Sequence, residues 1–301
     1  MHILWTGSRA YSGSVGRVTR RAPAARYEVT DGDQPRVVRR PDTLAVEEPM
    51  EIRVDGEPLT VTMRTPGDDF DLTLGFLHGE GLIGAADDVA RLMHCVDTDA
   101  DGSPTYNVVD VTLRDGMSLR DNASRAFVTT SACGVCGTAS IDALQTTSRY
   151  AVAEDSAKVD PAVLCSLPGR LRAAQKAFDR TGGIHAAGLF TIGGELLVAR
   201  EDVGRHNAVD KVLGWALRDG RVPLTGHVLV VTSRASFELT QKAHAAGIPV
   251  LAAVSAASSL AVELADRVGL TLVAFVRPPH FTVYAGEQRV AVSAAAGHAS
   301  S

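Results

Sequence analysis

From His206 to Val276 the chain alternates helical and strand patterns, and this ordering restricts the possible folds more than any other feature. Residues 206–217 read as a helix, 228–232 as a strand, 237–246 as a helix, 249–254 as a strand, 260–268 as a helix and 270–276 as a strand. Strands that alternate with helices predict a parallel sheet covered by helices, so the fold class is α/β.

Upstream the text is different. Residues 47–64 alternate Met50, Ile52 and Val54 with Leu59, Val61 and Met63 about Asp55-Gly56, which is a strong hairpin signal. Asp68 and Asp69 then precede a helix over 70–82, where acids favour the N-terminus. Residues 93–96 and 106–113 predict another strand pair. These elements make residues 27–120 a smaller β-rich N-terminal lobe and 121–293 the main α/β domain. Within the latter, a short strand from Phe127 leads into a Ser/Gly-rich loop, and 138–146 read as a helix. A helical stretch over 160–178 is interrupted by Pro168 and Gly169, and a hairpin over 189–199 turns at Gly193-Gly194. Residues 1–26 and 294–301 are expected to be disordered tails.

A formal net charge of −5 and a pI near 6.0 give no global reason to bind nucleic acid. Arg9, Arg17, Arg20, Arg21 and Arg26, with no acid among the first 26 residues, are either a basic arm or a solvated tail; the expectation is the tail. No apolar segment suits a secretory signal, and the longest uncharged run, 245–262, holds Gly247 and Pro249, so no membrane span is expected. Four unevenly placed cysteines, Cys95, Cys133, Cys136 and Cys165, are not a secreted disulfide framework and suit a reducing cytoplasm.

Cys133 and Cys136 stand one helical turn apart in Thr130-Ser131-Ala132-Cys133-Gly134-Val135-Cys136-Gly137. A helix N-terminus beside them would favour the thiolate, the nucleophilic form. Spacing alone leaves four uses open: half of a zinc site, a redox dithiol, a sulfur relay in which one cysteine carries a persulfide, or an inert buried pair. Cys95 and Cys165 read as packed small hydrophobes.

Two strand-to-helix junctions suit an anionic ligand. Ser233-Arg234-Ala235-Ser236 follows one strand and opens a helix, and Ser255, Ser258 and Ser259 repeat the arrangement at the next. Helix capping by these serines is the plainer alternative. Glu201-Asp202-Val203-Gly204-Arg205-His206-Asn207 crowds acids, a base and an imidazole between a hairpin and a helix, either as a site or as an Asp202 cap with solvated charges. His185 is either a site residue or a satisfied core histidine.

Taken together, these residues resemble the formate dehydrogenase accessory sulfurtransferase (FdhD) family from about Glu47 to Gly286. The resemblance is carried by Glu47-Glu48-Pro49-Met50-Glu51-Ile52, Thr62-Met63-Arg64-Thr65-Pro66-Gly67, Gly75-Phe76-Leu77 with Glu80-Gly81, the Ser131 to Gly137 segment, Gly182-Gly183 with His185-Ala186-Ala187, Glu201 to Lys211, Ser233-Arg234 and Phe281-Thr282-Val283-Tyr284. It implies a sulfur carrier that takes sulfur from a cysteine desulfurase and delivers it to a molybdenum cofactor, Mo-bis-molybdopterin guanine dinucleotide, bound as cargo before insertion into formate dehydrogenase. It also implies a homodimer and a cytidine deaminase-like three-layer α/β/α main domain. By motif position Cys133 matches the persulfide cysteine, Cys136 its partner, and Phe281, Thr282, Val283, Tyr284, Ala285 and Gly286 the cofactor-binding segment. Ser233, Arg234, His185, Arg205 and His206 are expected to join that site, and no structural metal is expected. The alternative is a non-catalytic chaperone for the same cofactor. Ala187 stands where a deaminase needs its proton-shuttling glutamate, so deamination is not expected. Residues 1–14 match nothing in the family, which makes Val15 a candidate start.

Overall fold

The structure is a computed structural model that describes residues 4–5, 17–30, 34–98, 104–116 and 148–291. Cys133 and Cys136, the strand expected from Phe127 and the helix expected over 138–146 lie outside the described residues.

The N-terminal lobe is a five-stranded sheet in the order β1-β6-β7-β4-β5, formed by β1 (Leu4–Trp5), β4 (Glu48–Val54), β5 (Glu57–Arg64), β6 (Val89–Thr98) and β7 (Pro104–Leu113). The hairpin at Asp55-Gly56 turns with both residues at positive φ, 51° and 82°, as a two-residue turn requires. Helix α1 (Asp69–Gly79) covers one face of this sheet through Leu72, Leu74 and Leu77.

Residues 19–26, expected in a tail, instead lie in β2 (Thr19–Glu28), which pairs antiparallel with β3 (Arg36–Ala45) over ten residues as a separate two-stranded ribbon. The register explains why the sequence hides it: Pro23 faces Pro41, and charged residues fill both faces, so no apolar alternation marks a strand.

The main domain holds a six-stranded sheet in the order β13-β12-β11-β10-β8-β9, comprising β8 (His185–Thr191), β9 (Leu196–Asp202), β10 (His227–Val231), β11 (Val250–Ala253), β12 (Thr271–Arg277) and β13 (His280–Ala285). β10, β11 and β12, the three strands of the predicted alternation, are parallel as expected, and β8 and β9 pair antiparallel as the predicted hairpin; β8 also runs antiparallel to β10, and β13 to β12, so the whole sheet is mixed. The reason is local: β8–β9 and β12–β13 are joined by tight turns, and such turns permit only antiparallel pairing.

The central strands bury side chains on both faces. Leu229 and Val231 of β10 pack with helices α4 (Arg205–Arg218), α5 (Phe237–Ala245) and α6 (Ser259–Val268), while Val228 and Val230 pack with α2 (Pro161–Ala174). Helix α2 runs through Pro168 instead of breaking there. Leu164, Leu167 and Leu171, all fully buried against the sheet, outweigh one lost backbone hydrogen bond, and the break falls at Gln175 before α3 (Lys176–Thr181).

The lobes meet where α1 crosses α4 antiparallel. A Cβ on Gly75 would lie 1.9 Å from the Asp210 carbonyl oxygen, and one on Gly214 would lie 1.8 Å from that of Asp71. Backbone touches backbone at both points, which only glycine allows. Buried ion pairs border this crossing: Asp71 with Arg200 and Arg218, and Asp210 with Lys242 at 2.7 Å.

Candidate functional site

The carboxyl edge of β10 and β11 is also the edge at which antiparallel β8 begins. This brings His185, Thr232 and Val254 together although they are far apart in sequence. A cavity of about 700 Å³ opens there, walled on its other side by Arg172 of α2, Gln175 at the break between helices, and Phe178 of α3. Ligands of open α/β sheets bind outside the carboxyl ends of the strands for this reason: loops diverge there and helix N-termini point inward.

Thr232 fixes His185. Its hydroxyl accepts from Ala186 N at 3.0 Å and stands 3.5 Å from His185 Nδ1. Burial lowers the His185 pKa, and Arg205 adds to this against the opposing pull of Asp202. His206, at the start of α4, is pushed further, to about 4: burial leads, Arg205 and Lys242 assist, and Glu238 opposes. Its Nε2 lies 3.8 Å from the Glu238 carboxylate. Burial alone would raise the Glu238 pKa, but its own backbone N–H, the Ser236 hydroxyl, His206 and Arg205 bring it below the ordinary value. At neutral pH the edge therefore presents two uncharged imidazoles beside a carboxylate and an arginine. Such groups can accept or donate protons to a bound ligand.

The crowded 201–207 segment divides in two. Glu201 accepts from Ala177 N and Phe178 N at 2.8 Å each, capping α3. Asp202, fully buried, accepts from Thr65 N, Gly204 N and Asn207 Nδ2 and pairs with Lys211 Nζ at 2.7 Å. Asn207 donates to Met63 O, and Lys211 to Thr65 O. Asp202, Asn207 and Lys211 thus tie β5 to α4. Arg205 and His206 remain beside His185.

The serine junctions divide similarly. Ser258 caps α6 through Ala261 N, and the buried Ser233 donates to Arg234 O. The two loops lie side by side, with Ala235 N bonded to Ala256 O and Ser258 N to Ala235 O, each at 3.0 Å. Arg234 is exposed.

The segment from Phe281 to Gly286 forms β13 and does not gather at one point. Its Phe281 end shares the carboxyl edge with Ser233 and Arg234, but β11 and β12 intervene, a separation of roughly 14 Å at three strand spacings. Gly286, at φ 70°, lies at the opposite edge, where its carbonyl accepts from the Thr271 hydroxyl. Phe281 and Val283 pack toward α2, and Thr282 and Tyr284 face solvent. Sequence reasoning missed Thr232, Glu238, Gln175 and Phe178. Glu238, two residues past Ser236 at a helix start, left a signal that could have been read; the others are recruited only by topology.

The fold and edge define a mixed α/β protein with a ligand-sized cleft at the carboxyl ends of its parallel strands. Residues 45–291 match the model of the FdhD/NarQ family, and the chain belongs to that family. Its relatives include the sulfur carrier protein FdhD of Streptomyces avermitilis, 57% identical over 284 residues that cover 94% of this chain and 99% of that protein. The protein of the same name from Mycobacterium tuberculosis is 56% identical over 258 residues, 84% of this chain and 94% of the relative. A crystal structure described as a formate dehydrogenase accessory protein from Desulfotalea psychrophila matches with a TM-score of 0.66 at 24% identity, covering 90% of this chain and 99% of that one, and shares the fold. No helix among the described residues is long and apolar enough to cross a membrane.

Proposed function

We propose that this chain is a sulfur carrier for formate dehydrogenase maturation, acting in the cytoplasm. The observation that carries the reading is the convergence of His185, Arg205 and His206, from separate family motifs, at one edge beside a cavity, in a chain 57% identical to a protein named for sulfur carriage.

In this reading the Cys133 thiolate attacks the terminal sulfur of a cysteine desulfurase persulfide. The donor S–S bond breaks, a new S–S bond forms on Cys133, and the donor leaves as thiolate, so atoms and electrons balance. Cys136 assists release: its thiolate attacks the Cys133 sulfur of the persulfide, the outer sulfur leaves as sulfide to the molybdenum of Mo-bis-molybdopterin guanine dinucleotide, which is cargo and not a resident cofactor, and a cellular thiol reductant reopens the Cys133–Cys136 disulfide that results. The cargo lies along the carboxyl edge. Ser233, Arg234 and the Phe281 end of β13 lie toward its nucleotide portions, with the exposed Thr282 and Tyr284 extending the surface and Val283, Ala285 and Gly286 anchoring that strand beneath it, and His185, Arg205 and His206 lie toward the deeper part. The working unit is a homodimer, and the main domain is of the cytidine deaminase type, in keeping with helices on both faces of its sheet.

Incubation with a cysteine desulfurase and its substrate, followed by intact-protein and peptide mass spectrometry, tests the reading. One added sulfur on Cys133, together with loss of formate dehydrogenase maturation by Cys133→Ala, is expected. No added sulfur with maturation intact in Cys133→Ala would leave a cofactor chaperone instead.

A further inference from the structure

The β2–β3 ribbon takes no part in the reading above, yet its chemistry is distinctive. Its two strands carry Arg20, Arg21, Arg26, Arg36, Arg39 and Arg40 against only Glu28 and Asp42, a net +4. The chain as a whole is at −5, so everything else sums to −9. All six arginines are exposed, and among the described residues none enters an ion pair. A folded chain this acidic that gathers unpaired arginines on one projecting element has placed them where they meet something outside it.

The register distributes them. Arg20, Arg26, Arg36 and Arg40 share one face; Arg21 and Arg39 share the other with Tyr27 and Val37. Tyr27, Val37 and Leu44 are 62%, 42% and 50% exposed among them. Ten residues at ~3.3 Å each extend the charge over roughly 33 Å, too far for any single small anion. The ribbon is rooted at the site: Val46 N bonds to Val18 O at its base, the Thr65 hydroxyl donates to Val46 O, and the strands pack beside α3, whose Phe178 lines the cavity.

We infer that the β2–β3 ribbon is a docking arm for a partner protein that presents clustered carboxylates, and that it holds this partner against the mouth of the carboxyl-edge cavity. Arginine, not lysine, fills every cationic position, and its planar fork binds carboxylates bidentately. Arginine and tyrosine mixed with aliphatic residues is the composition of protein interfaces. A long nucleic acid would have to cross the acidic remainder of the molecule, whereas a compact acidic protein surface would not.

The test uses the full-length protein and a fluorescein-labelled dodecaglutamate peptide, read by fluorescence anisotropy, with dodecathymidylate and dodecalysine for comparison. The glutamate peptide is expected to bind, to weaken at 300 mM salt, and to weaken at least about tenfold in Arg20→Gln/Arg26→Gln/Arg36→Gln/Arg40→Gln. Arg91→Gln/Arg114→Gln, on the other sheet, should bind as wild type does. The two-site variant Arg21→Gln/Arg39→Gln, which alters less of the ribbon, guards against misfolding of the four-site variant and should weaken binding by a smaller factor. Unchanged affinity in both ribbon variants overturns the inference. So does tighter binding of dodecathymidylate than of dodecaglutamate, or absence of peptide binding by a wild-type dimer that the ribbon substitutions dissociate, which would make a second copy the occupant.

Discussion

Replacing Gly75 by alanine would drive a methyl group into the backbone of α4, 1.9 Å from the Asp210 carbonyl oxygen and 2.8 Å from its Cα. No side chain can swing aside, because the obstacle is main chain. The helices must part by roughly 1.5 Å to approach the ~3.5 Å of ordinary contact. That separation loosens the α1–α4 seam, where the second backbone contact at Gly214 lies, the buried Asp71 and Asp210 ion pairs border the crossing, and Leu217 of α4 joins the α1 cluster. Overpacking of this kind costs about 3 kcal/mol, and alanine returns about 1 kcal/mol through its better helix propensity. A net loss of about 2 kcal/mol is expected, lowering Tm by roughly 4–8 °C. Thermal and urea unfolding of Gly75→Ala measures it. Gly169→Ala is the control, because nothing lies within 4 Å of the added Cβ in α2, so there the propensity gain should appear alone and raise stability. If Gly75→Ala melts at or above wild type, the two helices are not held in backbone contact and the account of how the lobes join is wrong.

Lys211→Met should cost about 3 kcal/mol or more, since it leaves the buried Asp202 carboxylate without its cation; the double variant with Asp202→Asn should cost less than the sum of the singles, as a urea double-mutant cycle will read. Burial, aided by Lys242 and Arg149 and opposed by Asp88, holds His78 at about 4, below the 6.5 of a free imidazole, so between those values the unfolded chain binds the extra proton. Stability is therefore full above pH 6.5 and falls as pH drops toward 4, by up to ~3 kcal/mol from this residue; denaturation curves at pH 7, 5.5 and 4 should show the slope, and His78→Gln should flatten it. Arg289→Met should cost about 3 kcal/mol, because the buried guanidinium donates to the carbonyls of Val152, Ala153, Asp155 and Gly269, and amide exchange in residues 152–155 should accelerate.

Much of the fold is legible in local pattern. The Asp55-Gly56 hairpin, α1, the β6–β7 pair and every helix and strand from α4 to β12 fall within a few residues of where periodicity and turn chemistry put them, because each is specified by its own apolar spacing. The antiparallel docking of the β8–β9 hairpin on β10 and the added strand β13 were not legible, nor was the β2–β3 ribbon, whose pairing depends on a partner strand and not on a buried face.

The site divides along the same line. The sequence by itself determined which residue types were available: the imidazoles of His185 and His206, the Arg205 charge, the serine-bearing junctions and the family to which the chain belongs. Only the tertiary structure decided that Glu201 caps α3 and that Asp202, Asn207 and Lys211 serve the joint between lobes, leaving Arg205 and His206 at the cavity. It likewise drew Thr232 to His185 and Glu238 to His206 and ran Phe281 to Gly286 away across the sheet. The physical reason is one of range. Propensity and periodicity act over a few residues, whereas a buried charge takes its meaning from whichever distant backbone or side chain the packed core brings within ~3 Å of it.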